Sequence, residues 1–195
     1  FMLSGLAEGK VKALFAVGEN PMVSDPDIGH VEKALQKAEL LVVQDIFLTT
    51  TAELAHVVLP GTSFAEKDGT FTNTERRVQR VRKAVDPPGL AKPDWEITAA
   101  LGKKLDEKLG RARPGYWDFA STAEIMAEVS AVTPIYGGIS HQRLADGQGL
   151  AWPCPTEDHP GTGVTEGCAH DNSEASTENG APGSAKAAVS AGFLL

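Results

Sequence analysis

Ala13-Leu-Phe-Ala-Val17, Leu40-Leu-Val-Val43 and His56-Val-Val-Leu59 are three short apolar runs within one stretch, Lys12 to Gly61. Each stops abruptly, the first at Gly18-Glu19-Asn20-Pro21, the second at Gln44-Asp45 and the third at Pro60-Gly61-Thr62. Short runs rich in Val and Leu and bounded by turn-forming residues read as buried strands. A helix is expected between the first two, because Asp25 can cap it, Pro26 suits its first position and Asp27 favours its positive end. Ile28, Val31, Leu35 and Ala38 then recur on one face, which is expected to pack on the sheet. Thr50 and Glu53 have the spacing of a capping box, so a shorter helix is expected from Thr50 to Ala55. Strand, helix, strand, helix, strand implies an α/β fold with a parallel sheet and right-handed crossovers. Ligands of such sheets lie beyond the carboxyl ends of the strands, so the three polar exits should share one edge. Leu40–Val43 is apolar on both faces, as a central parallel strand should be.

The totals narrow the class. The 195 residues carry a net charge of -8, and no face is obviously basic, which argues against a nucleic-acid partner. No apolar run reaches the roughly 18 residues that span a bilayer, so no membrane insertion is expected. The sequence opens on Phe1 without the basic start of a secretory signal, and an expectation follows of a piece cut from something longer. Cys154, His159, Cys168 and His170 match no common zinc spacing, and the two cysteines read as incidental thiols.

Phe1–Glu8 reads as a helix closed by Gly9. Beyond the third strand, Asp68-Gly69 signals a turn, and Thr70–Thr72 and Arg77–Val81 alternate polar with apolar, which reads as two extended segments around Asn73–Arg76. Arg76, Arg77, Arg80, Arg82 and Lys83 form a basic cluster in an acidic chain, fit either for an anion or for a solvated strand face. Asp94–Leu109 is the best helix pattern, with Asp94 as its expected cap, an apolar stripe from Trp95 to Leu109, and Gly110 as its stop. A further helix is expected over Thr122–Val129, and 134–160 is loop-rich. From residue 161 to 195 the composition turns to Gly, Ala, Ser, Thr, Glu and Asn, and a disordered tail is expected.

Several of these segments together resemble one family. Val17-Gly-Glu-Asn-Pro-Met22, Leu41-Val-Val-Gln-Asp-Ile-Phe-Leu-Thr49, Ala52-Glu-Leu-Ala-His-Val-Val-Leu-Pro60 and Glu66-Lys-Asp-Gly-Thr-Phe-Thr-Asn-Thr-Glu-Arg-Arg-Val-Gln79 are similar to the molybdopterin oxidoreductases, most of all to formate dehydrogenase catalytic subunits. Lys92-Pro-Asp-Trp-Glu96 and Trp152-Pro-Cys-Pro155 follow in the same order. The resemblance implies that 1–160 is a Rossmann-like, partial domain for molybdopterin guanine dinucleotide, bearing molybdenum or tungsten. It implies cofactor contacts at Gly18, Glu19, Asn20, Gln44, Asp45, Thr49, Lys67 and Asp94, with Arg76 and Arg77 ranked below them. A carboxylate such as Asp45 or Asp94 could accept the paired N–H donors of guanine, and Lys67 would suit a pyrophosphate.

The departures shape the remaining expectations. The family's iron–sulfur cysteines, its metal-ligating Cys or selenocysteine and the adjacent His and Arg are not in this sequence, nor is the domain that completes the cofactor site. After Gly161 the sequence leaves the family pattern, as a fusion or a shifted reading frame would. The chain is therefore expected to be inactive alone, with no catalytic residue of its own. Its expected partners are the missing domains of the same polypeptide and electron-transfer subunits, and its expected compartment is the cytoplasm or the periplasm. Two alternatives stand: the same lobe of a nitrate reductase or complex I large subunit, and a free-standing nucleotide-binding module.

Overall fold

A computed structural model describes residues 2–162, so the tail expected beyond residue 161 falls almost wholly outside the described residues, as do Cys168 and His170. The described chain forms two compact units, 1–67 with 83–98, and 68–82 with 99 onward.

The first unit is built on β1 (Ala13–Val17), β2 (Leu40–Asp45) and β3 (Val57–Pro60). They pair in parallel in the order β1-β2-β3, with Phe15, Val42 and Val57 in register. The α/β fold with a parallel sheet expected from the sequence is thus present, with β2 central. The helices are α1 (Met2–Ala7), α2 (Pro21–Ser24), α3 (Ile28–Gln36) and the short α4 (Thr50–Glu53). Gly9, at φ 73°, closes α1, with Lys10 N donating to Gly5 O at 2.8 Å. Leu6, Val31, Leu35, Leu41 and Val43 are fully buried in one core.

Four local expectations are corrected. Ala34, not Ile28, completes the buried face of α3, since Ile28 is 49% exposed. Asp27 caps α3 by accepting from His30 N at 3.1 Å, while Asp25 accepts from Asp27 N in the turn before it. Thr49 rather than Thr50 caps α4, accepting from Ala52 N at 3.2 Å. β1 and β2 are also covered on one face only, Leu41 and Val43 being inaccessible while Phe15 and Leu40 stay 36% and 43% exposed, and in β3 both Val57 and Val58 are exposed.

The second unit holds β4 (Gly69–Thr72), β5 (Arg77–Val81) and β6 (Leu150–Ala151), all antiparallel in that order. The two extended segments around Asn73–Arg76 are the β4–β5 hairpin. α5 (Asp94–Lys108) runs from the first unit into the second, and α6 (Thr122–Val132) is capped by Ser121. Val78, Met126, Ile139, Leu144 and Cys154 make the core of this unit. The loop-rich 137–162 is held from within, Arg143 donating to the carbonyls of Gly138 and His159.

His141 has a buried Nε2 with no partner among the described residues. Burial, helped by the Arg80 guanidinium, lowers its pKa below the usual 6.5, and Asp68 only partly opposes this. The unfolded chain therefore takes up a proton here at higher pH than the folded chain. Stability from the neutral ring is complete above about 6.5 and is lost as pH falls through the folded value. The urea midpoint should drop between pH 7.5 and 5.5, and part of that drop should vanish in His141→Gln. In the first unit, Leu41→Ala should cost about 2–5 kcal/mol in urea unfolding, since it empties the middle of a closed core.

Candidate functional site

All eight residues singled out in the sequence belong to the first unit, and the strand exits bring them to one edge. At the end of β1, Gly18 takes φ 63° and donates its N–H to Gln44 O at 2.9 Å. A left-handed backbone is cheap only for glycine, so this residue sets the turn that leads to Glu19 and Asn20. Asn20 Oδ1 accepts from Thr51 Oγ1 at 2.7 Å and from Thr50 Oγ1 at 3.2 Å. Thr51 Oγ1 in turn accepts from Met22 N at 3.1 Å. The β1 exit is thereby fastened to the start of α4. Thr51, fully buried, is the residue that sequence reading passed over; its only signal was its place in the Thr49-Thr50-Thr51 run.

A second cluster closes the β2 and β3 exits. The side chain of Gln44 is fully buried at the end of β2, and its Nε2 donates to Asp94 Oδ1 at 2.7 Å. The other Asp94 oxygen is ion-paired with the Lys67 ammonium. Gly61 N donates to Asp45 O, and Lys92 N to Pro60 O, so the chain returns past the tip of β3 just before Asp94. A Cβ on Gly61 would lie 3.1 Å from Asp94 Oδ1, a tight contact that the Asp94 carboxylate would have to yield to by a few tenths of an ångström. Asp94 does not cap α5, as the sequence had led us to expect. Pro93 O accepts from Glu96 N and Ile97 N, placing Asp94 in the first turn with its carboxylate turned to Gln44 and Lys67.

The electrostatics of the edge follow. Lys67 and Asp94 neutralise each other, with side chains only 13% and 28% exposed. Asp45 is half-buried, and its Oδ1 accepts from Ile46 N at 2.7 Å. Neither Asp45 nor Glu19 has a cation within 4 Å among the described residues. Two buried acceptors, Gln44 Oε1 and Thr62 Oγ1, have no partner among the described residues, and both flank Gly61. The accessible acceptors of the edge are thus the carboxylates of Asp45 and Glu19, a setting for a ligand that brings N–H donors.

Residues 2–104 match the family model described as Molybdopterin oxidoreductase. The chain belongs to the molybdopterin oxidoreductase family. Over 155 residues it is 54% identical to the F420-dependent formate dehydrogenase 1 subunit alpha of Methanococcus maripaludis, a match covering 80% of this chain and 22% of that protein. Over 154 residues it is 55% identical to the F420-dependent formate dehydrogenase subunit alpha of Methanocaldococcus jannaschii, covering 79% and 22%. The chain thus spans about a fifth of the length of these curated relatives. Among solved structures, acetylene hydratase from Pelobacter acetylenicus superposes with a TM-score of 0.56 at 24% identity, covering 75% of this chain and 19% of that one. That likeness concerns the fold alone. Within the family lobe, Gln44→Leu should leave the Asp94 carboxylate short of one donor in a half-buried setting. A loss of about 1–3 kcal/mol is expected, measured by urea unfolding.

Proposed function

We propose that the parallel-sheet unit binds one guanine dinucleotide arm of a bis-pterin molybdenum or tungsten cofactor. It would do so within a longer formate dehydrogenase catalytic subunit that oxidises formate to carbon dioxide. The observation that carries this reading is the closed set Gln44, Asp94 and Lys67 beside Asp45, at the edge where parallel sheets take nucleotides. High identity to formate dehydrogenase alpha subunits supports the choice of substrate.

The donor chemistry fits. Guanine presents adjacent N1–H and N2–H donors, and Asp45 is an unneutralised carboxylate at the edge that could accept both. Gln44 and Thr62, closed to solvent, would back this edge rather than touch the base. Glu19, Gly18, Asn20 and Thr49 would wall the arm from the β1 and α4 side. Lys67 would place positive charge near the pyrophosphate by loosening from Asp94. The cofactor, when bound, supplies the redox centre at which formate reacts. This chain's residues bind and orient it, and none of them moves a proton in that step. The iron–sulfur cluster belongs to other segments of the longer polypeptide, and electron-transfer subunits are its proposed partners. The relatives' designation as alpha subunits supports that last assignment.

Calorimetric titration of the 195-residue chain with GDP, IDP and ADP tests the reading. GDP should bind more tightly than IDP, which lacks the 2-amino donor, and ADP should bind least. Asp45→Asn should weaken GDP about tenfold to a hundredfold, the worth of a charge-assisted pair. Equal affinity for ADP and GDP, or an unchanged Asp45→Asn, would overturn it.

A further inference from the structure

Asn20 opens α2, yet its side chain does not cap that helix. Asparagine at such a position ordinarily accepts from the first turn of its own helix. Here its Oδ1 turns instead to the start of α4, where it accepts from Thr51 N at 3.3 Å, Thr51 Oγ1 at 2.7 Å and Thr50 Oγ1 at 3.2 Å. The Thr51 N–H is one of the donors that the first turn of a helix leaves without an intrahelical partner, and Asn20 satisfies it.

The two ends of a carboxamide are alike in shape, and the chemistry of their partners tells oxygen from nitrogen. Thr51 supplies that chemistry twice. Its backbone N–H can only donate, so a flipped Asn20 would set donor against donor. Its hydroxyl already accepts from Met22 N at 3.1 Å, and the hydroxyl hydrogen goes to Asn20 Oδ1. Thr51 is fully buried, so water does not compete for either bond. The Asn20 oxygen is thereby held inward, and both N–H groups of its Nδ2 are turned away from α4. That Nδ2 has no acceptor among the described residues and is not closed to solvent. The strand-exit edge thus carries an accepting carboxylate at Asp45 and a donating amide at Asn20, while the Lys67 ammonium is paired with Asp94.

We propose that Thr51 is a positioning residue for nucleotide binding: it fixes the polarity of the Asn20 amide, so that Asn20 donates to an oxygen of the bound nucleotide. This role rests on the dinucleotide reading given above and adds to it a buried residue that the ligand does not touch. The oxygen belongs to a ribose hydroxyl or to a phosphate, both of which accept from an amide. A fastener between β1 and α4 would need only the inward oxygen of Asn20, whereas positioning needs the outward nitrogen as well.

Calorimetric titration of the 195-residue chain with GDP and with guanosine, beside Tm, separates the two roles. Asn20→Asp keeps an inward oxygen for all three donors and replaces the outward N–H pair with a second oxygen. It should keep the parent Tm and weaken GDP by about tenfold or more. Thr51→Val, which adds no charge, should weaken GDP about threefold to tenfold, the worth of one hydrogen bond, and Thr51→Ser should restore it. A loss shared by guanosine assigns the oxygen to the ribose, and a loss confined to GDP assigns it to the phosphates. The positioning role falls if Asn20→Asp binds GDP as the parent does, or if Thr51→Val lowers Tm alone. A preference for GDP over ADP that is lost in Asp45→Asn would then still uphold the dinucleotide reading. A chain that binds GDP and ADP alike, and both more weakly in Thr51→Val, ends that reading while leaving the Asn20 contact in place. A chain that binds neither overturns both.

Discussion

The contact between Gln44 Nε2 and Asp94 Oδ1 joins residues 50 positions apart and sets the geometry of the whole strand edge. A carboxylate can only accept, so the amide of Gln44 must turn its nitrogen to Asp94 and its oxygen away. One bond thereby fixes the orientation of a buried polar side chain at the end of the central strand. It also fixes the first turn of α5 against that strand, and through Asp94 it holds the Lys67 ammonium. A buried amide here would be costly without this partner, and an unpaired Asp94 beside it would be costlier still. Gly61 sits under the same constraint, because a Cβ there would press on the Asp94 carboxylate at 3.1 Å.

The parallel sheet was legible because its information is local. Three apolar runs with abrupt polar exits can be ordered by the helix signals between them, and β1, β2 and β3 lie where those runs placed them. Helix starts were read to within a few residues but often assigned to the wrong cap. Asp25 and Thr50 each have a good capping neighbour, and the choice among adjacent candidates depends on backbone geometry that sequence does not carry. Asp94 shows the harder case. Its position before an apolar stripe made it a natural cap, yet tertiary partners 50 and 27 residues away took the carboxylate instead. Thr51 was missed for the same reason, since its value lies in meeting Asn20 across 31 residues.

The burial pattern of β2 departs from the rule for a parallel strand. A parallel strand is expected to be covered on both faces, and Leu41 and Val43 obey that rule on one side. Leu40, Phe15 and Val57 on the other side keep more than a third of their surface accessible. These residues are apolar where the described residues offer them little cover.

Fold alone does not carry the assignment of chemistry. A protein named as a hydratase shares this architecture at a TM-score of 0.56, so the fold is compatible with a different named reaction. The chemistry has to be argued from the site, which here is the half-buried Asp45 carboxylate beside the Gln44–Asp94–Lys67 set. A carboxylate there suits a ligand that brings N–H donors. On the proposed reading binding and chemistry are separable: the edge would hold one cofactor arm, and residues elsewhere in a longer polypeptide would govern what the cofactor does to its substrate.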